Sequence, residues 1–218
     1  MQKHILYSFR RCPYAIRARW ALAICGISVQ IREVDLKNKP IELTEISKTN
    51  TVPLLVLGNG EIIEESLDII IWAIRNKRDS YFQENKRDEI INLIKENDDV
   101  FKFHLDRFKY SSRFDENKKE FHFQEAQKII TKWNKTLKKD STANYWLIGT
   151  GESIADWCLW PFIRQFKIAC EVQKRSKILD TPIRLWLDYF ENHKNFKKVM
   201  HKYSPWESSS TPNFFPFN

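Results

Sequence analysis

Arg11-Cys12-Pro13-Tyr14-Ala15-Ile16-Arg17 is the stretch on which the fold turns. A short apolar run, Ile5-Leu6-Tyr7-Ser8-Phe9, precedes it, and an amphipathic helical pattern follows. This order predicts a strand, a tight turn and a helix, with Cys12 at the helix N-terminus. The thiolate is the reactive form of cysteine, and both a helix N-terminus and nearby cations favour it. Arg10 and Arg11 immediately precede Cys12, so both kinds of help are present. Pro13 suits the first helical turn, where its missing N–H is not needed. The stretch reads as an activated, solvent-reachable nucleophile. Ala15 stands where a resolving cysteine would be, so a redox cycle at Cys12 needs an external thiol.

Outward from this turn, the first third alternates element types. Lys3–Phe9 reads as a strand and Pro13–Cys25 as a helix, with Ile16, Trp20, Ala23 and Ile24 on one face and Gly26 as its stop. Ser28–Val34 reads as a second strand and Pro40–Ile46 as a short helix. Leu54–Leu57 and Glu61–Ile63 flank Gly58-Asn59-Gly60, a hairpin signal, and Ser66–Asn76 is helical again. The order β-α-β-α-β-β-α predicts a small mixed sheet with helices against it. Asn76–Gln83 is polar and charged and reads as a linker.

Beyond the linker the periodicity is helical almost throughout. Ile90, Ile94, Phe101, Leu105 and Phe108 fit one helical face; Ala126, Ile129, Ile130, Trp133 and Leu137 fit another. Ser153-Ile154-Ala155-Asp156 reads as a capping box with Asp in place of Glu, opening an apolar helix to about Cys170. Another helix follows Pro182, and the tail from Ser204 is rich in Ser, Pro and Phe. The expected division is a first domain over residues 1–78 and an all-helical one over 84–218.

The chain has 218 residues, 42% of them hydrophobic and 14% aromatic, enough to bury a substantial core. Net charge is +8, from 36 basic and 28 acidic residues. An excess of this size suits either an anionic partner or a generally basic, solvated surface. Its lysine pairs, Lys118-Lys119, Lys138-Lys139 and Lys197-Lys198, are dispersed, and no nucleic-acid motif accompanies them, so no nucleic-acid partner is expected. Cys12, Cys25, Cys158 and Cys170 form no CxxC and no Cys/His cluster with zinc spacing, so no metal is expected. Cys25, Cys158 and Cys170 lie in apolar helical patterns and read as small buried hydrophobes. Thiol usage, the absence of a signal-like N-terminus and the lack of a membrane-length apolar run give a cytoplasmic expectation with no membrane partner.

Five motifs in order resemble the cytosolic glutathione transferase superfamily, specifically a cysteine-type, omega-like member. They are Cys12-Pro13-Tyr14-Ala15, Asp35-Leu36-Lys37-Asn38-Lys39-Pro40, Thr51-Val52-Pro53, Glu65-Ser66 and Ser153-Ile154-Ala155-Asp156. The resemblance covers almost the whole chain. It implies an α+β thioredoxin-like N-terminal domain (βαβαββα) followed by an all-α C-terminal domain, and usually a homodimer. It further implies a cis bond before Pro53 that turns the Val52 backbone outward to pair with the cysteinyl unit of glutathione. Ser66 and the helix N-terminus would hold the γ-glutamyl carboxylate, Glu65 would accept from its ammonium group, and Lys39 would approach the glycyl carboxylate. Tyr14 would line the site or pack beside the turn. Taken singly, Pro53 reads as a turn proline, Glu65-Ser66 as a helix cap and Lys39 as a surface lysine. Their joint occurrence favours a glutathione site.

By this resemblance the chain is expected to be a thiol transferase or reductase. Cys12 would attack through a mixed disulfide with glutathione as co-substrate, removing glutathione from a thiol-bearing or small apolar substrate. Dehydroascorbate and S-glutathionyl ketones are compatible acceptors. Tyr7 is the rival hydroxyl; its place inside the strand favours Cys12. Phe101, Phe108, Tyr110, Trp157 and Trp160 are candidates for an apolar acceptor wall, or plain helical core. His104 and Arg107 are candidate polar groups beside them. The Phe214-Phe215-Pro216-Phe217 tail is left open between folding over the site, packing on a helix and disorder. The alternative function is a non-catalytic binding or regulatory module of the same fold that contacts a protein partner.

Overall fold

The strand, turn and helix expected around Cys12 are present as β1 (Ile5–Ser8) and α1 (Pro13–Ile24). The structure is a computed structural model that describes residues 3–77, 84–175 and 179–216. Its contacts divide the chain into two units, Met1–Ser80 with His193–Asn218, and Tyr81–Asn192.

In the first unit, α1 leads to β2 (Val29–Glu33), α2 (Ile41–Ile46), β3 (Leu54–Val56), β4 (Ile62–Ile63) and α3 (Ser66–Lys77). Strand β1 pairs parallel with β2, Leu6 opposite Ile31, and antiparallel with β3, Leu6 opposite Leu55. The parallel pair needs a crossover, which α1 supplies. Gly58-Asn59-Gly60 closes the β3–β4 hairpin, with Gly60 at φ +90° where a side chain would be strained. Tyr7, Val34, Leu43 and Leu54 form a buried cluster inside this unit.

Helix α1 is not amphipathic. Every residue from Ala15 to Leu22 is buried, including Arg17 and Arg19, because α1 packs against both α3 and a C-terminal helix, α9 (Lys194–Val199). Gly26, at φ +67°, ends the α1 segment as expected.

The second unit contains α4 (Arg87–Lys95), a π-helical segment (Glu96–Phe101), α5 (Lys102–Lys109), α6 (Lys119–Thr136), α7 (Ile154–Val172) and α8 (Thr181–Asn192). The first expected face is buried at Ile90, Ile94, Phe101, Leu105 and Phe108; on the second, Ala126, Ile130 and Trp133 are buried while Ile129 and Leu137 are only partly so. Between α6 and α7 the chain departs from helix. Strands β5 (Lys138–Lys139) and β6 (Tyr145–Trp146) pair around Asp140, whose carboxylate accepts from the N–H groups of Thr142 and Asn144 and from Trp146 Nε1. Ser153 and Asp156 form the expected capping box at the start of α7. Asp156, fully buried, accepts from Ser153 N (2.9 Å), Ser153 Oγ (2.6 Å), Leu147 N (2.9 Å) and Trp186 Nε1 (2.8 Å). Burial raises its carboxyl pKa and these hydrogen bonds work against the rise.

The C-terminus departs from expectation. Residues 193–218 group with the first unit, not with the helical one. Within them β7 (Asn213–Phe215) pairs antiparallel with β2, Val29 opposite Phe215, so the sheet has five strands in the order β4-β3-β1-β2-β7. The physical reason is edge coverage: β2 would otherwise present unpaired backbone groups, and Phe215 is fully buried in the arrangement. The Phe215–Pro216 bond is cis, while Phe217 and the linker residues 78–83 lie outside the described residues. Among the described residues, no helix is long and apolar enough to cross a membrane.

Candidate functional site

Cys12 occupies the N-cap of α1, with extended backbone (φ −75°, ψ 120°) and Pro13 at the first helical position. Its N–H donates to Phe9 O at 3.1 Å and its carbonyl accepts the first helical bond from Ile16 N at 2.9 Å. The side chain does not cap the helix. It is half-buried, and Sγ donates to Val52 O at 3.6 Å. The Val52–Pro53 bond is cis. The fold thus brings Cys12, Val52 and Pro53 together across 40 residues of chain.

Ser66 opens α3 and is buried. Its hydroxyl accepts from Arg17 Nε at 3.0 Å, and the Arg17 guanidinium lies over the Tyr14 ring, 4.8 Å from its centroid. Tyr14, Arg17 and Ser66 therefore form a contiguous group linking α1 to α3. Glu65 is exposed, and its carbonyl accepts from Ile69 N at the first turn of α3. Its carboxylate makes no hydrogen bond to another described residue.

The adjacent Glu64 carries the local hydrogen bonding instead. Its carboxylate accepts from Ser47 Oγ (3.1 Å), Lys48 N (3.2 Å) and Thr49 Oγ1 (3.1 Å). Chiefly the bond from Lys48 N–H, and then those of Ser47 and Thr49, hold this carboxyl pKa below the ordinary value. Ser47 Oγ accepts from Asn50 N at 2.9 Å, and Asn50 O accepts from Lys39 Nζ at 2.8 Å. Exposed Lys39 is thus tied into the loop that leads to Val52 and Pro53. Glu64 and Glu65 are adjacent, and nothing in their sequence context signals which one organises this loop.

Behind the Cys12 turn lies a charged group that sequence reasoning missed. Arg19 is buried and donates to Ser8 Oγ, to Arg10 O (2.7 Å) and to Val199 O (3.0 Å). Glu33 is buried too, and its Oε1 accepts from Arg10 N at 2.7 Å. Burial pulls the Arg19 pKa down to about 10 and raises that of Glu33; each charge partly offsets the other's penalty. The only signal in the sequence was Arg17 and Arg19 two residues apart in an otherwise apolar helix.

Tyr7 is buried in β1. Its hydroxyl accepts from Arg32 Nη1, and its ring packs edge-on against Trp206 at 6.3 Å. Burial raises the Tyr7 pKa against the pull of Arg32.

The expected apolar wall is mostly core. Phe101, Phe108, Trp157 and Trp160 are fully buried within the helical unit, with Phe101 against Trp133 (5.0 Å) and Trp160 stacked on Phe190 (5.6 Å). Tyr110 is partly exposed, under the cations of Lys109 and Arg113. His104 Nδ1 meets His122 Nδ1 at 3.0 Å, and Arg107 lies over Phe103. Among the described residues no group of three or more His, Cys, Asp or Glu side chains is placed to hold a metal ion.

Comparison with known proteins bears on this arrangement. Residues 6–80 match the family model described as "Glutathione S-transferase, N-terminal domain". The chain is 45% identical over 58 residues to a probable glutathione transferase of Aplysia californica, a match covering 27% of this chain and 62% of that protein. It is 24% identical over 190 residues to glutathione S-transferase omega-1 of Sus scrofa, covering 84% of this chain and 74% of the relative. It is 30% identical over 178 residues to maleylacetoacetate isomerase of Mus musculus, covering 76% and 81%. In structure it resembles glutathione transferase Omega 3C from Trametes versicolor, with TM-score 0.78, 17% identity and coverage of 94% and 91%. A glutathione transferase family member from Pseudomonas fluorescens, solved with two glutathione bound, superposes with TM-score 0.72, 18% identity and coverage of 91% and 92%. At these identities the two structures show the fold. With the family match and the relatives that span most of the chain, they establish that this protein belongs to the cytosolic glutathione transferase superfamily.

Proposed function

We propose that this protein is a glutathione-dependent thiol transferase in which Cys12 is the nucleophile. The observation that carries the reading is the placement of Cys12 Sγ at the N-cap of α1, half-buried and 3.6 Å from Val52 O beside the cis Pro53. A thiolate there gains from the helix N-terminus. The family relationship, and the glutathione bound by the Pseudomonas fluorescens relative, support glutathione as the co-substrate.

The chemistry is monothiol exchange. The Cys12 thiolate attacks the glutathionyl sulfur of a mixed disulfide, the substrate thiolate leaves and takes a proton from water, and Cys12 is left disulfide-bonded to glutathione. A second glutathione thiolate attacks the glutathionyl sulfur of that bond. Glutathione disulfide leaves and the Cys12 thiolate returns. In this reading Val52 offers backbone hydrogen bonds to the cysteinyl unit. Ser66 and the α3 N-terminus receive the γ-glutamyl carboxylate, Glu65 its ammonium group, and Lys39 the glycyl carboxylate. Tyr14 and Pro53 shape the wall. The Ser66 hydroxyl accepts from Arg17, which leaves its proton to be donated to a carboxylate.

The test is glutathione-dependent reduction of a small mixed disulfide by wild type and Cys12→Ser. We expect at least a ~100-fold loss of kcat/KM in the variant, the scale of removing a covalent nucleophile. Equal rates in the two proteins would refute Cys12 as the nucleophile. An inactive wild type that still binds glutathione would favour a binding role.

A further inference from the structure

The peptide at Arg10 is gripped from both sides by buried charges. Its N–H donates to Glu33 Oε1 at 2.7 Å, and its carbonyl accepts from Arg19 Nη2 at 2.7 Å. Arg19 Nη1 also donates to Ser8 Oγ at the end of β1, and its Nε reaches Val199 O on α9. A planar guanidinium presents donors in a rigid fork, so three acceptors on three segments fix its position as well as theirs. The segment fixed in this way, from Ser8 to Arg10, is the one that delivers Cys12 to the head of α1.

We infer that Arg19 is a positioning residue for Cys12: with Glu33 it clamps the Ser8–Cys12 turn, and its buried cation stabilises the thiolate form of the Cys12 side chain. Arg10 and Arg11, the cations the sequence offers for this task, differ from it in setting: Arg10 is half-buried and Arg11 exposed, where water and salt screen their charge. Arg19 is 1% exposed and acts through a medium of low dielectric.

The groups facing Arg19 are Glu33 on β2, Cys12 and Arg10 on the turn, and Tyr203 in the C-terminal segment; Glu33 in turn faces Arg10, Arg11 and Arg19. Negative charge at Glu33 and at Cys12 favours the Arg19 cation. Coulomb energy is mutual, so the same cation favours a negative Cys12. Glu33 competes for it. The catalytic consequence rests on the reading of Cys12 given above; the effect on the thiol itself does not.

The experiment measures the alkylation rate of Cys12 by iodoacetamide against pH, in the full chain without glutathione, with Cys12→Ser as the blank for Cys25, Cys158 and Cys170. Arg19→Met is expected to move the midpoint of the profile up by about one pH unit. Arg19→Lys keeps the charge and is expected to stay within ~0.3 of wild type, although both variants lose the fork and unfold at lower temperature. A purely structural role would lower the melting temperature in both and move neither midpoint. Glu33→Gln removes the competing charge and is expected to lower the midpoint by ~0.5; it decides the matter should Arg19→Met not fold. A profile for Arg19→Met that superposes on wild type, or an unmoved Glu33→Gln midpoint, overturns the inference. A failed disulfide-reduction assay with shifted midpoints would instead count against Cys12 catalysis alone.

Discussion

The two units bury polar side chains to different ends. In the thioredoxin-like unit Ser8, Arg17, Arg19, Glu33 and Ser66 are buried, and their hydrogen bonds converge on the turn that carries Cys12 and on the start of α3. In the helical unit the buried pair Ser153 and Asp156 serves a helix cap and the Trp186 indole. Around them that interior is largely apolar, with Phe101, Phe108, Trp133 and Phe166 in ring contact and Ile90, Ile94, Leu105 and Ile130 buried. A buried charge needs partners wherever it sits. What differs is what the partners hold: the turn that carries Cys12 in one unit, a helix start in the other.

The comparison breaks first at Asp156. Asp156→Ala orphans Leu147 N–H, Ser153 N–H and the Trp186 indole in a dry interior, so we expect a loss of about 4 kcal/mol in urea unfolding. An effect under about 1 kcal/mol would mean the cap is not what organises the helical unit. Phe215→Ala comes next. It removes a fully buried ring from the strand that closes the β2 edge, and a loss of about 3 kcal/mol is expected in the same assay. An unchanged unfolding curve would show that the C-terminal strand adds nothing to the sheet.

The smallest effect concerns the His104–His122 contact. Burial, above all, holds both imidazole pKa values below the ordinary value, with the charges of His122 and of Arg107 adding to it. The folded pKa values are thus lower than those of the unfolded chain. The stability these groups contribute is fully present above pH ~6.5 and is lost as pH falls through the folded values. The urea midpoint is expected to decline between pH 7.5 and 5.5, and His122→Gln to flatten that decline. A midpoint that rises on acidification would reverse the sign assigned here.

The features legible in the sequence were the local ones. Pro13 after Cys12, Gly58-Asn59-Gly60 between apolar runs, and Ser153 three residues before Asp156 each declare a turn, hairpin or cap within a few residues, and each is present. Partners far apart in the chain were not legible. Arg19 drew no reading from the sequence because its acceptor at Val199 lies 180 residues away. Strand β7 was hidden because Asn213-Phe214-Phe215 sits between two prolines and finds its register only against β2. Glu64 and Glu65 are alike as letters, and only the loop at 47–49 separates them. The aromatic candidates at Phe101, Phe108, Trp157 and Trp160 had a helical period that suits a core as well as a wall, and burial decided for the core.

The most direct measurement is the intact mass of the protein after brief exposure to glutathione disulfide, followed by peptide mapping. The account predicts one glutathione per chain, on Cys12, removed by excess glutathione and absent from Cys12→Ser. Modification spread over Cys25, Cys158 and Cys170, or a Cys12 that stays a free thiol while the protein turns over, would contradict it.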